Sequence, residues 1–232
     1  MSSARFPASL ATLVTNRLRQ EIVEGAFELG QALSEAKIAK RYEVSRTPVR
    51  EAFARLELEE LVHTEPQSGT YVFTIDRHQF EQISEARSIL EGAALRLSFD
   101  RNHGHLVEHW RALVITMESA AEMGDTRAYS AADGQFHDVL FELTDNPYLE
   151  TARRPFAARL AAIRNRLGLS PEHVAKSRTE HRDLLAHVEA GNLDAAITLL
   201  RYHIVEKGAT FWSVPAAKPD QVRRRALQIS SR

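Results

Sequence analysis

The sequence predicts a mainly α protein in two parts. The first is an N-terminal winged helix-turn-helix over about residues 1–75, and the second a C-terminal all-α antiparallel six-helix bundle over residues 76–213. Three observations predict this. Residues Val44 to Leu56 read as a turn running into an amphipathic helix whose polar face opens with two arginines. Two β-prone stretches, 61–65 and 70–75, bracket the turn Pro66-Gln67-Ser68-Gly69. From Asp76 onward the strand signal disappears, and apolar residues recur at helical spacing in blocks separated by Gly, Asn, Asp and Pro.

Each element follows from local chemistry. Ser9 is placed to cap a first helix running to about Glu24, with Leu10, Leu13, Val14, Leu18 and Ile22 as its apolar stripe and Gly25 as its stop. Residues 29–33 read as a connector, and Ser34 caps a second helix through about Tyr42. Ser45 is expected to cap the third helix through its hydroxyl. Pro48 sits near the start, where its missing N–H costs nothing, and Val49, Phe53 and Leu56 form the buried stripe. The β-branched and aromatic run Thr70-Tyr71-Val72-Phe73-Thr74-Ile75 then returns on residues 61–65 as a two-stranded wing. Helices are expected at roughly 77–100, 104–124, 126–144, 147–167, 171–190 and 193–212, joined by short connections. Residues 214–232 carry two prolines and the run Arg223-Arg224-Arg225, and read as a flexible basic tail.

Composition narrows the class. The chain of 232 residues has no cysteine, which excludes a disulfide framework and a thiol nucleophile and points to an intracellular, cytoplasmic protein. No apolar run reaches the length of a membrane span, and residues 1–10 lack the pattern of a signal peptide. Net charge is −1, and residues 1–75 hold ten acidic against nine basic side chains, so DNA binding requires a local basic face. Such a face exists. Arg46 and Arg50 are four residues apart at the amino-terminal end of the third helix, where a recognition helix meets base edges in the major groove. Without further context the alternative is an ordinary solvated helix face.

Ten histidines direct attention to metal chemistry. Asp133 and His137 are at i and i+4 on one expected helix, roughly 6 Å apart at their bases, on the side carrying Phe136, Leu140 and Leu143. A buried carboxylate and imidazole must be paired or bound to metal. His181 and His203 fall on two further helices, so one Asp and three His could converge in the bundle centre, a donor set suited to Zn²⁺ or Ni²⁺. Taken singly, each histidine is more simply a satisfied core residue. His103, His105 and His109 form a rival cluster at a loop-to-helix junction and read as solvated, while His63, His78, His173 and His187 have no partner pattern.

Several ordered motifs carry a family resemblance. Leu33-Ser34-Glu35, Ile38-Ala39, Val44-Ser45-Arg46-Thr47-Pro48-Val49-Arg50-Glu51-Ala52, Leu61-Val62 and Gly69-Thr70-Tyr71-Val72 together resemble the DNA-binding domain of the GntR family of bacterial transcription regulators. The resemblance implies a homodimer on a short palindromic operator in double-stranded DNA. It further implies that Ser45, Arg46, Thr47 and Arg50 contact bases and phosphates, and that the wing around Gly69 approaches the minor groove. An arginine fork pairs with both acceptors on a guanine edge. Two residues depart from the pattern: Ala36 stands where some members have a phosphate-contacting arginine, and Glu60 where a glycine usually closes the recognition helix.

The second half resembles the FCD effector-binding domain of the FadR branch, in the six-helix, VanR-like subset. The match runs through Asp133-x3-His137, His181, the turn Gly191-Asn192-Leu193-Asp194-Ala195-Ala196, and His203. It implies a metal held by Asp133, His137, His181 and His203. It also implies an effector site in which Arg87 pairs with the carboxylate of a small organic acid, for which a guanidinium has the right geometry. Asn146 matches a recurring family position and reads as a helix cap. The expected function is a ligand-responsive transcriptional regulator and not an enzyme. The competing readings are a metal-dependent hydrolase, a regulator that senses the metal itself, and an effector domain holding acyl-CoA without metal.

Overall fold

The computed structural model describes residues 9–214. The chain divides into two compact units between Thr74 and Ile75. The basic run expected in the tail, Arg223-Arg224-Arg225, lies outside the described residues.

The first unit comprises α1 (Leu10–Val23), β1 (Ala32–Leu33), α2 (Glu35–Tyr42), α3 (Arg46–Leu58), β2 (Val62–Glu65) and β3 (Gly69–Val72). Ser9 and Ser34 cap α1 and α2 through their side chains, accepting from the Thr12 and Lys37 N–H groups. Leu18, Val49, Ala52, Leu56, Leu61 and Val72 are fully buried and make its core. A large aliphatic side chain buried in this way contributes about 1.5–3 kcal/mol. The wing has three strands, not two. The expected connector contributes β1, which pairs antiparallel with β3 (Leu33 opposite Thr70), while β2 pairs on the other side of β3 (Val62 opposite Val72). A two-residue strand is too short to show alternation in sequence.

In the first unit two acidic residues adopt the left-handed conformation that glycine usually supplies. Glu43 (φ 56°) forms the turn between α2 and α3, and the Val44 N–H returns to the Ala39 carbonyl at 3.0 Å. Glu60 (φ 53°) ends α3, where the Leu61 N–H bonds the Leu56 carbonyl and the Glu60 N–H the Glu57 carbonyl. This is the Schellman closure expected of a glycine, made at a cost of roughly 1–2 kcal/mol by a residue with a Cβ.

The second unit is helical throughout: α4 (Arg77–Glu122), α5 (Thr126–Glu142), α6 (Pro147–Leu167), α7 (Pro171–Glu189), α8 (Leu193–Val205) and α9 (Gly208–Ser213). The break expected at residues 102–104 is a kink and not a loop. Only Asn102 leaves helical geometry (φ −138°, ψ 37°), and its amide donates to the Leu143 carbonyl at 2.9 Å, so tertiary contacts carry the chain across. The last expected helix is in turn split at Glu206 and Lys207. Asp76 opens α4 with a reciprocal capping box to Gln79, and Asn146 and Ser170 cap α6 and α7. Trp110 is completely buried. It stacks on Phe136 with centroids 4.0 Å apart and donates its indole N–H to the Phe136 carbonyl at 2.8 Å. Among the described residues no helix is long and apolar enough to cross a membrane.

Candidate metal centre and nucleic-acid interface

In the first unit Ser45, Arg46, Thr47 and Arg50 are all exposed around the first turn of α3. The Ser45 hydroxyl makes no capping bond, contrary to the sequence expectation, although its backbone is at the N-cap position. That leaves the hydroxyl available to an outside acceptor. Arg50 is engaged with Glu35 at the start of α2, Nε to Oε1 at 3.1 Å and Nη2 to Oε2 at 3.0 Å. This pair holds the Glu35 carboxyl below its usual range, the hydrogen bond contributing most. Gly69 stands at the tip of the wing with φ +134° and open space where a Cβ would project. A side chain there would be strained regardless of room.

In the second unit the structure brings together Asp133 and His137 of α5, His181 of α7 and His203 of α8. One ligand atom from each lies within 4.8 Å of all the others, and all four residues are buried. The three rings pack closely, with the His181 and His203 centroids 4.6 Å apart and the His137 and His203 centroids 5.3 Å apart. The i,i+4 spacing on α5 supplies one half of the group, and α7 and α8 deliver the other half from the opposite side.

Neighbouring carboxylates orient two of the rings. His203 Nδ1 lies 2.7 Å from Glu180 Oε2, and His137 Nδ1 lies 2.8 Å from Glu91 Oε2. His203 Nδ1 therefore carries its hydrogen toward Glu180, which leaves its Nε2 lone pair free to accept, while His137 Nδ1 meets Glu91 at ion-pair distance without an aligned hydrogen bond; the Nε2 atoms of the two rings face each other. Those two Nε2 atoms are only 3.4 Å apart. Neither ring nitrogen of His181 has a hydrogen-bond partner, although the residue is buried. His203 Nε2 is satisfied by Lys207 Nζ at 3.0 Å, whereas the orphaned His181 imidazole is a costly arrangement that a bound cation would relieve.

The ionisation states suit the same role. Burial pushes His181 and His203 well below the ordinary imidazole range, and lowers His137 against the opposing pull of Glu91. Burial alone would raise the Asp133 carboxyl, but His181, His137, Lys207 and Arg164 together hold it below its usual value. A carboxyl that ionises readily and imidazoles that lose their protons readily are what a divalent ion requires of its ligands.

Arg87 of α4 is buried beside this group. Its Nε donates to Glu91 Oε1 at 2.6 Å, and its Nη2 has no hydrogen-bond partner. Arg87, Glu91, Arg164 and Arg153 line a small cleft between α4, α5 and α6, and Arg153 bridges Asp138 and Glu150 at 2.8 and 2.6 Å.

Sequence reasoning missed Glu91, Glu180, Arg164 and Lys207. Glu91 follows Arg87 by four residues and Glu180 immediately precedes His181, so the signal was charge spacing on the helices that carry the recognised positions. Lys207 follows His203 by four, and only the tertiary structure shows that it is buried. His173, without a partner pattern in sequence, is also buried, and burial together with Lys207 depresses it to about 4. Of the rival cluster, His105 and His109 are exposed, and His103 Nε2 sits 2.9 Å from the Val188 carbonyl.

Comparison with known proteins gives a consistent answer. Residues 10–72 match the profile of bacterial regulatory proteins of the gntR family, and residues 82–206 match the FCD domain. The chain is 30% identical, over 84% of its length and 86% of the relative's, to a protein of Paenarthrobacter nicotinovorans named "Probable D-xylose utilization operon transcriptional repressor". It is 29% identical to the gluconate operon transcriptional repressor of Bacillus subtilis (strain 168), over 62% of this chain and 58% of that one. The crystal structure of a transcriptional regulator GntR from Rhodococcus sp. RHA1 shares the fold, with a TM-score of 0.76 at 22% identity, covering 90% of this chain and all of that chain. These relatives are transcriptional regulators and not enzymes, which sets the hydrolase reading aside. With a DNA-reading winged helix-turn-helix and a helical FCD domain in one polypeptide, this chain belongs to the GntR family of bacterial transcriptional regulators.

Proposed function

We propose that this regulator binds a short palindromic operator as a homodimer, and that a small organic acid seated at a metal centre in the FCD domain controls its operator affinity. The convergence of Asp133, His137, His181 and His203 in a buried cluster backed by Glu91 and Glu180 carries the reading. These four residues would hold a divalent transition metal, with zinc or nickel the ions that fit an Asp-His₃ donor set. When bound, the ion supplies a Lewis-acidic anchor for a ligand oxygen. The chain supplies the rest. Arg87 offers an unpartnered Nη2 to a carboxylate, Glu91 holds both Arg87 and His137 in place, and the surrounding apolar core excludes water. Sugar acids head the candidates, because one relative is named for a gluconate operon.

On the DNA side Ser45, Arg46, Thr47 and Arg50 would meet bases and phosphates in the major groove, and the wing tip at Gly69 the minor groove. Their shared exposure at the start of α3 supports this. Arg50 must exchange Glu35 for DNA to take part. A cytoplasmic location follows from that partner. For the acid to regulate, it must bind two states of the dimer with different affinity.

A thermal-shift screen of the zinc-loaded chain against small organic acids, followed by gel-shift titration on DNA flanking its own gene, tests the proposal. An acid that raises the melting point and changes operator affinity is expected. Absence of specific DNA binding at low salt rejects the reading. A second version, in which the metal itself is the signal, predicts that operator binding follows metal with no organic ligand present.

A further inference from the structure

Lys207 is a cation placed directly against a ring that the metal reading needs as a ligand. It lies in the break between α8 and α9, is 6% exposed, and places Nζ 3.0 Å from His203 Nε2. An ammonium has donors only, so this contact is an N–H directed at a lone pair. The other nitrogen of the ring settles which lone pair it is. Nδ1 sits 2.7 Å from Glu180 and carries the hydrogen, so Nε2 is bare. That same lone pair is the one His203 would give to a metal, and one lone pair cannot serve both cations. The Nε2 of His137, 3.4 Å away, converges on the same spot.

Resting on the reading of the quartet as a metal centre, we propose that Lys207 is a tethered cation occupying the metal side of the histidine cluster, and that metal loading is an exchange in which its ammonium leaves His203.

Charge balance supports the exchange. Asp133, Glu91 and Glu180 are the acidic groups around the cluster, Arg87, Arg164 and Lys207 are the buried cations that face them, and the half-exposed Lys176, 3.7 Å from Glu180, is screened by water. The metal-free site is therefore close to neutral. A divalent ion added with the lysine still seated would leave two uncompensated positive charges in a buried space, and departure of the lysine removes one of them. The local backbone suits such a movement. Lys207 is outside regular helix, and Gly208 follows it with no close backbone neighbour. The inference assigns Lys207 two effects. It lowers metal affinity, and it couples metal arrival to release of the α8–α9 junction.

The test measures zinc affinity of the full chain by competition with a chromophoric chelator, for wild type, Lys207→Met and Lys207→Arg. Removal of one adjacent positive charge is expected to tighten zinc binding by about ten- to a hundredfold in the Met variant. The Arg variant is expected to bind no tighter than wild type. Zinc binding by the Met variant alone supports the exchange in its strongest form. A lysine that merely fills space predicts the reverse, since its truncation would loosen the cluster; unchanged or weaker zinc binding by Lys207→Met overturns the proposal while leaving the metal centre intact. Failure of both wild type and Met variant to bind zinc or nickel overturns the lysine exchange and the metal reading together. Should the Met variant not fold, Lys207→Gln makes the same comparison. A second readout is the melting temperature. The metal-free Met variant melts lower than wild type, and its zinc-induced rise is larger.

Discussion

Glu91→Gln probes the electrostatic centre of the helical unit without changing its volume. Glu91 is 3% exposed and holds two partners, Arg87 Nε at 2.6 Å through Oε1 and His137 Nδ1 at 2.8 Å through Oε2. An amide of the same shape creates no cavity, so any loss comes from charge. It leaves the Arg87 guanidinium, itself 5% exposed, without its carboxylate. Breaking a buried pair from one side costs about 3–5 kcal/mol. With a urea slope of about 2 kcal/mol per molar, the midpoint moves down by about 1.5–2.5 M. Both tryptophans, Trp110 and Trp212, belong to the helical unit, so fluorescence follows that unit and not the DNA-reading one. The measurement is made with chelator present, so that metal binding does not contribute. The sign of the pH dependence is fixed as well. Burial would raise the Glu91 carboxyl, but Arg87 and His137 together hold it below 4.5, its ordinary value. Its contribution is therefore complete above about pH 4.5 and is lost as pH falls toward the folded value. Wild type and variant should differ by a constant amount near neutrality and converge in acid. A midpoint shift under about 0.5 M at pH 7, or a difference that grows in acid, would refute the reasoning.

Three further outcomes are expected. His137→Ala and His203→Ala should each abolish bound metal in elemental analysis; in wild type, stripping a metal held at a hundred times its dissociation constant removes about 2.7 kcal/mol and lowers Tm by about 5–10 °C. Unchanged metal content in either variant would show the quartet to be misassigned. Arg46→Ala should weaken specific operator binding by about tenfold or more with the fold intact by circular dichroism, whereas Glu35→Gln, which frees the Arg50 fork, should strengthen it a few-fold at low salt; wild-type affinity in both variants would remove the docking geometry. Glu43→Gly should stabilise the DNA-reading unit by about 1 kcal/mol in thermal melts, because φ 56° costs glycine nothing; a lower Tm would mean that the glutamate side chain has a role the backbone does not reveal.

Much of this molecule was legible from residue order. Period and punctuation located the caps at Ser9, Ser34 and Asn146, the recognition helix, and nearly all of the bundle. The i,i+4 pair Asp133 and His137 and the distant His181 and His203 were named before any fold was known, and they meet. What escaped detection has a common physical origin. β1 exists only because β3 lies beside it, and two residues carry no periodicity. The kink at Asn102 is stabilised by the Leu143 carbonyl some forty residues away, so a local stop signal was read as a loop. Ser45 has the sequence and backbone of a cap but not its hydrogen bond. Glu91, Glu180, Arg164 and Lys207 look like ordinary charged residues on helix faces, and only packing of α4, α6, α7 and the α8–α9 junction turns them inward.

The centre of the helical unit is built so that burial, usually an obstacle to charged groups, prepares the ligands. It lowers the pKa of all three imidazoles, while His181 and His137 first, and then Lys207 and Arg164, hold the Asp133 carboxyl down where burial would raise it. Arg87, Arg164 and Lys207 thus do more than balance charge. Lys207 and Arg164 help hold the Asp133 carboxyl down, Arg87 does the same for Glu91, and all three would raise the electrostatic cost of a metal. The same surplus of positive charge, once a divalent ion has entered, is relieved by an anion placed near Arg87. On the proposed function, metal and organic acid would share a single buried space, and each would raise the other's affinity by the same factor. The coupling would then rest on the buried cations as much as on the four ligands, since they set the charge that both guests must balance.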